Sequence, residues 1–98
     1  MVVVVKRNGR TEEYIPEKLI VSLLKNGASV EDARRIEREI RSVIEGRERV
    51  SSLELAALAL KKLGELGEEY RLSWIYYDIN HKRRRTDLEI EKYLRGGG

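Results

Sequence analysis

The sequence predicts an α+β domain: an N-terminal β-hairpin packed on a four-helix bundle, with a short helix at the C-terminal end. Three observations lead there. A run of valines at 2–5 is followed by Asn8-Gly9 and a second short extended stretch, the pattern of a hairpin. Four longer stretches then carry apolar residues at helical spacing. Asn26-Gly27, Gly46 and Gly67 punctuate those stretches.

The elements follow in order. Asn8 and Gly9 tolerate the positive φ of a tight hairpin turn, and residues 11–15 return as the second strand of a two-stranded ribbon. Pro16 opens the first helix, where its missing N–H costs nothing. Leu19, Ile20, Leu23 and Leu24 form that helix's apolar face, and Asn26-Gly27 closes it after Lys25. Ser29 with Asp32 starts the second helix as an N-cap and a first-turn carboxylate. Its stripe is Val30, Ala33, Ile36, Ile40, Val43 and Ile44, and Gly46 stops it. A charged loop leads to Ser51 and Glu54, spaced as a capping box. The third helix reaches Leu66, with Leu55, Leu58, Ala59 and Leu63 apolar.

Gly67 breaks the chain again, and a fourth helix runs over about 68–81. Tyr70, Trp74 and Tyr77 lie on one stripe; Leu72, Ile75, Tyr76 and Ile79 lie on another. A helix apolar on two sides is buried between neighbours, so this one reads as the central strut. Thr86 and Glu89 suggest a last capping box and a short helix to Leu94. Gly96-Gly97-Gly98 reads as a flexible linker or a chain-end addition. A lone hairpin is marginal in water, so the ribbon must pack on helices, with the first helix as the nearest partner.

At 98 residues the chain holds one domain. Such a chain buries about 60–65% of its unfolded surface, enough for one core and one small site. The absence of cysteine excludes disulfides, thiol nucleophiles and Cys-ligated zinc, and fits a reducing, cytoplasmic compartment. No apolar run approaches the roughly 18 residues of a membrane span, and the first residues lack signal-peptide anatomy, so no membrane partner is expected. Phe and Gln are absent while Glu, Arg and Lys abound, a composition pointing to a thermophile. The net charge is +3, and residues 1–81 contribute none of it, with 14 basic and 14 acidic groups. The excess lies in 82–98, a basic tail. A body so balanced does not form a general nucleic-acid-binding face.

No catalytic constellation is visible, and the chain reads as no enzyme. It has one histidine, and no nucleophile-elbow, paired-histidine or phosphate-loop sequence. His81 fits a polar residue at a helix end, where the dipole favours it. The hairpin is more informative. Lys6-Arg7-Asn8-Gly9-Arg10 gathers cations and backbone N–H groups in one turn, the ingredients of an anion site. Lys18 adds an ammonium near a helix N-terminus, where phosphate is favoured. The same turn also fits a solvated basic tip that protects a ribbon edge from aggregation. Tyr70, Trp74 and Tyr77 either fill the core or stack a base, with core packing favoured for Trp74. Lys82-Arg83-Arg84-Arg85 is either a nucleic-acid grip or a solvated basic helix end.

The string Val4-Val5-Lys6-Arg7-Asn8-Gly9, then Glu12, an aromatic, and Lys18-Leu19 resembles the opening of an ATP-cone domain. These are small allosteric modules of ribonucleotide reductases, of the transcriptional repressor of their genes, and of related archaeal proteins. The resemblance continues through Ser51-Ser52, the Leu-rich third helix, and Tyr70 with Tyr77, and spans roughly residues 2–82. It implies a domain at 1–82 that binds ATP or dATP, with Mg2+ as a candidate companion of the phosphates, followed by a basic helix and glycine tail at 83–98. It also implies a regulatory role without hydrolysis, in which binding signals to an attached domain or sets a homo-oligomeric state.

Position by position, Lys6 and Lys18 match phosphate-contacting lysines, and Arg7 is a member of the hairpin motif. Glu12 matches a second-strand acid of the nucleotide site, and Ser52 a small hydroxyl at the start of the third helix. Lys82 falls where a basic residue closes the site. Ile15 and Ala56 depart from the family pattern, standing where polar residues are usual. Each such change removes a hydrogen bond worth ~1 kcal/mol. Two other function classes stay open: a nucleic-acid-binding accessory working through 82–85, and a protein-interaction scaffold with a degenerate nucleotide site.

Overall fold

The structure is a computed structural model and describes residues 2–95; the glycine tail expected at 96–98 lies outside the described residues. The fold is α+β, a small N-terminal sheet with five helices. Strands β1 (Val3–Val5) and β2 (Thr11–Glu13) form the hairpin, followed by helices α1 (Pro16–Lys25) and α2 (Val30–Ile44). A third strand, β3 (Arg49–Ser51), precedes α3 (Ser52–Leu66), α4 (Glu68–Lys82) and α5 (Thr86–Arg95). The two-stranded ribbon of the sequence reading is therefore corrected to a three-stranded sheet of order β2-β1-β3. In it β1 pairs antiparallel with β2 and parallel with β3. β3 escaped notice because its one apolar residue, Val50, stands between Arg49 and Ser51, and three residues carry no readable period.

The hairpin turn also differs from the tight two-residue form. Gly9 N–H donates to Lys6 O at 2.9 Å and Lys6 N–H to Arg10 O at 2.8 Å, while Gly9 sits at φ +83°. Asn8 stays at negative φ and spends its Oδ1 on Arg10 N–H at 3.0 Å. This is a three-residue loop closed by a left-handed glycine. Three of the turn's amides already have acceptors, so its capacity for anions rests mainly on side chains.

Two apolar clusters hold the elements. Ile20, Leu23, Ala33, Ile36, Ile40, Ala59 and Leu63 join α1, α2 and α3; Val4, Tyr14, Ile44 and Val50 join the sheet to the end of α2. Leu55 and Leu58 of α3 pack against both clusters. The sheet thus rests on α2 and α3, not chiefly on α1 as its adjacency suggested. Val30 and Val43 were read as part of the α2 stripe, but both are exposed. In their place Glu37 is buried, its Oε2 accepting from Tyr14 O–H at 2.9 Å and its Oε1 facing Arg41 Nη2 at 3.2 Å.

The central element is α3, which packs on α2, α4, α5 and β3. The strut role expected of α4 fails because its second apolar stripe is only partly covered, and Tyr76 is exposed. Helix α5 packs against α3 and α4. Its expected capping box is not made. Thr86 is almost completely buried, its hydroxyl bonded to Asp78 Oδ2 of α4. Among the described residues no helix is long and apolar enough to cross a membrane.

Candidate functional site

The residues of the expected site lie on the hairpin and at helix ends. Lys6 and Arg7 leave β1 at the hairpin turn, Glu12 is the middle residue of β2, and Lys18 lies in the first turn of α1. Ser52 opens α3, and Lys82 closes α4. The fold brings these ends together around two adjoining clefts. One, of about 190 Å³, has Arg7, Glu12, Lys18 and Ser52 in its wall. The other, of about 400 Å³, has Lys6, Arg7, Glu12, Ser52 and Lys82. All six residues therefore border one or other of two neighbouring clefts, with Arg7, Glu12 and Ser52 in the walls of both.

Glu12 is the hinge of its charge pattern. Its Oε2 faces Lys6 Nζ at 3.2 Å and Lys18 Nζ at 3.4 Å. The bond from Lys6, with the charge of Lys18 beside it, holds the Glu12 carboxyl below the ordinary carboxylate range. Arg7 does not point free into solvent: its Nε donates to Glu89 Oε2 at 2.7 Å and its Nη2 to Thr86 Oγ1 at 3.2 Å. The larger cleft is bordered by four cations, Lys6, Arg7, Lys82 and Arg84, against the single carboxylate of Glu12. Partial desolvation and then the charge of Arg84, with smaller pushes from Arg7 and Lys25, hold the Lys82 ammonium below the ordinary lysine range. Such convergence of like charge is costly unless an anion relieves it.

Several residues of these clefts were not singled out from the sequence. Arg84 lines both clefts, and Asp78, buried behind it, faces Arg84 Nη2 at 3.7 Å. Residues 82–85 looked like one basic run, yet they divide. Lys82 and Arg84 face the clefts, whereas Arg85 pairs with Asp87 at 2.8 Å. The left-handed Arg83, φ +54°, ends α4 between Lys82 and Arg84. No sequence period signals such a break. Trp74 packs on the larger apolar cluster and also lines the smaller cleft, so the core and ligand-facing readings of it meet. His81 stacks on Tyr77 with ring centroids 4.5 Å apart. Ile15 and Ala56, the two departures, both lie in the wall of the smaller cleft.

No curated protein and no solved structure matches the chain. A family model does: that of the ATP cone domain, over residues 2–83. The matched span holds Lys6, Arg7, Glu12, Lys18, Ser52 and Lys82, while Arg84, Thr86 and Glu89 follow it. With most of its length matched in this way, the chain belongs to the ATP-cone family of nucleotide-binding regulatory domains.

Proposed function

We propose that the domain binds ATP or dATP across the two neighbouring clefts and acts as a switch without hydrolysing the nucleotide. The observation that carries this reading is the meeting of Lys6, Arg7, Lys18 and Lys82 around Glu12, the single carboxylate in the wall of the larger cleft. In this reading Lys6, Lys82 and Arg7 neutralise phosphate from one side and Lys18 from the other, with Mg2+ arriving on the phosphates. Ser52 offers its hydroxyl at the positive end of α3, where phosphate oxygens are favoured. The smaller cleft has apolar wall at Ile15, Leu19, Ala56 and Trp74, a surface for a flat base. Glu12 would accept from the adenine amino group, a contact that the carbonyl of guanine opposes.

Hydrolysis finds little support in these clefts. Glu12 is held between two lysines, and Asp78 is buried beneath Thr86 and Arg84. Both of these carboxylates are already engaged, which leaves Glu13 as the remaining one in the wall of the smaller cleft. Residues 1–82 form the nucleotide-binding part of the proposal, and 83–98 the segment that passes its state to an attached domain or a second copy. The switch works as far as the nucleotide binds its conformations unequally.

Replacing Lys6 tests the phosphate assignment. A charge-assisted hydrogen bond contributes about 1.5–3 kcal/mol, so Lys6→Ala should weaken ATP binding by about tenfold or more in a calorimetric titration. ATP affinity equal to that of the unsubstituted protein would place the phosphates elsewhere.

A further inference from the structure

We propose that Arg84, beyond the family-matched segment, is a phosphate-binding residue of this site, gripping two phosphate oxygens through its Nε–H and Nη–H groups. The inference rests on reading the clefts as a nucleotide site and adds to that reading a residue that the family motif does not contain.

The backbone holds Arg84 in place. Arg83 takes the left-handed conformation at φ +54° and ends α4, and the amides of Arg83 and Arg84 both donate to Asp78 O, the second at 3.2 Å. A non-glycine residue at positive φ is uncommon and has to be held there by its surroundings. Here it turns the next side chain back over the site, so that Arg84 borders both clefts.

The side chain then lacks what a settled arginine has. Its Nε–H is buried and has no hydrogen-bond acceptor among the described residues. Its Nη2 stands 3.7 Å from Asp78 Oδ1, beyond hydrogen-bonding distance. Asp78 is already engaged, since its other oxygen takes the hydroxyl of Thr86. A buried N–H without an acceptor is a standing cost. The side chain as a whole is partly exposed, and a turn of it brings that N–H to the cleft, where an arriving oxygen removes the cost. Lys6, Arg7 and Lys82 border the same cleft, so the oxygen that arrives is an anion's. A guanidinium meets two phosphate oxygens side by side through a planar fork, whereas an ammonium offers only a point charge. The ligand class is a polyphosphate, free or carried by a nucleotide.

The test follows the arginine Nε–H signals of the whole chain by NMR during titration with ATP and, separately, with inorganic tripolyphosphate. Arg84→Lys assigns the Arg84 signal by its disappearance. The expected result is a shift of that signal that saturates together with binding heat. Arg84→Gln and Arg84→Lys should both weaken binding by about tenfold or more, with unfolding midpoints near that of the unsubstituted protein. Shifts with ATP alone place the site's selectivity on the nucleoside, and shifts with both place it on the phosphates; either supports the assignment. An Arg84 signal that stays still while ATP saturates the protein overturns it and leaves the nucleotide reading standing. Full affinity in Arg84→Lys overturns the fork in the same way. A protein that binds neither ATP nor tripolyphosphate overturns both.

Discussion

Tyr14 shows how one side chain ties the end of β2 to α2. It follows β2 directly, two residues after Glu12, and its hydroxyl donates to the buried Glu37 of α2. Burial pushes the phenol well above the ordinary tyrosine range, and the bond and charge of Glu37 add to the shift. The sign follows from linkage. An unfolded tyrosine loses its proton near pH 10 while the folded one keeps it. The contribution of Tyr14 is therefore full below about pH 10 and is lost as pH rises toward the folded value. Tyr14→Phe leaves the Glu37 carboxylate with Arg41 alone and should cost about 1–3 kcal/mol. Urea unfolding at neutral pH checks that loss, and the same measurement above pH 10 should show a flatter alkaline decline in the variant. A variant as stable as the parent would mean that the hydroxyl does not anchor β2. The aromatic at position 14 was legible in the sequence as a motif residue. Its partner was not, because Glu37 lies on a helix whose exposed positions are largely charged, and one buried charge in such a helix has no local signature.

At the scale of elements, caps and glycines placed the helix ends, and Ser29 and Ser51 accept from Asp32 and Glu54 amides as their spacing suggested. Where local and tertiary demands competed, the tertiary ones won. The Thr86 hydroxyl goes to Asp78 and the Glu89 carboxylate to Arg7, so the residues of an apparent capping box instead dock α5 on α4 and on the hairpin turn. These two contacts should differ in weight. Thr86 is buried, so Thr86→Val strips Asp78 of a donor and should cost about 1–3 kcal/mol. The Arg7–Glu89 pair is partly exposed, and Glu89→Gln should cost only about 0.2–1 kcal/mol. Chemical unfolding of both variants checks the order. A larger loss from Glu89→Gln would mean that a surface ion pair, not the buried hydroxyl, seats α5. The third strand was invisible for a related reason: the burial of Val50 depends on Val4 and Tyr14, far from it in the chain, as well as on Ile44.

For the whole molecule, the fold carries Lys82 and Arg84, part of the basic excess of 82–98, to clefts where residues 1–81 supply as many carboxylates as cations. Cations distant in sequence meet where the hairpin, the start of α3 and the end of α4 converge. The hairpin motif made most of the site readable from the sequence. Arg84 was hidden in a basic run that looked uniform, because no sequence period shows that α4 ends at Arg83. The central claim is that this pair of clefts takes an adenine nucleotide. Calorimetric titration of the whole chain with ATP, dATP and GTP, each with and without Mg2+, tests it most directly. The account predicts saturable binding of the adenine nucleotides in preference to GTP. It also predicts a rise in unfolding stability of about 2.7 kcal/mol at a nucleotide concentration 100 times the Kd. Absence of both heat and stabilisation with every nucleotide would contradict it.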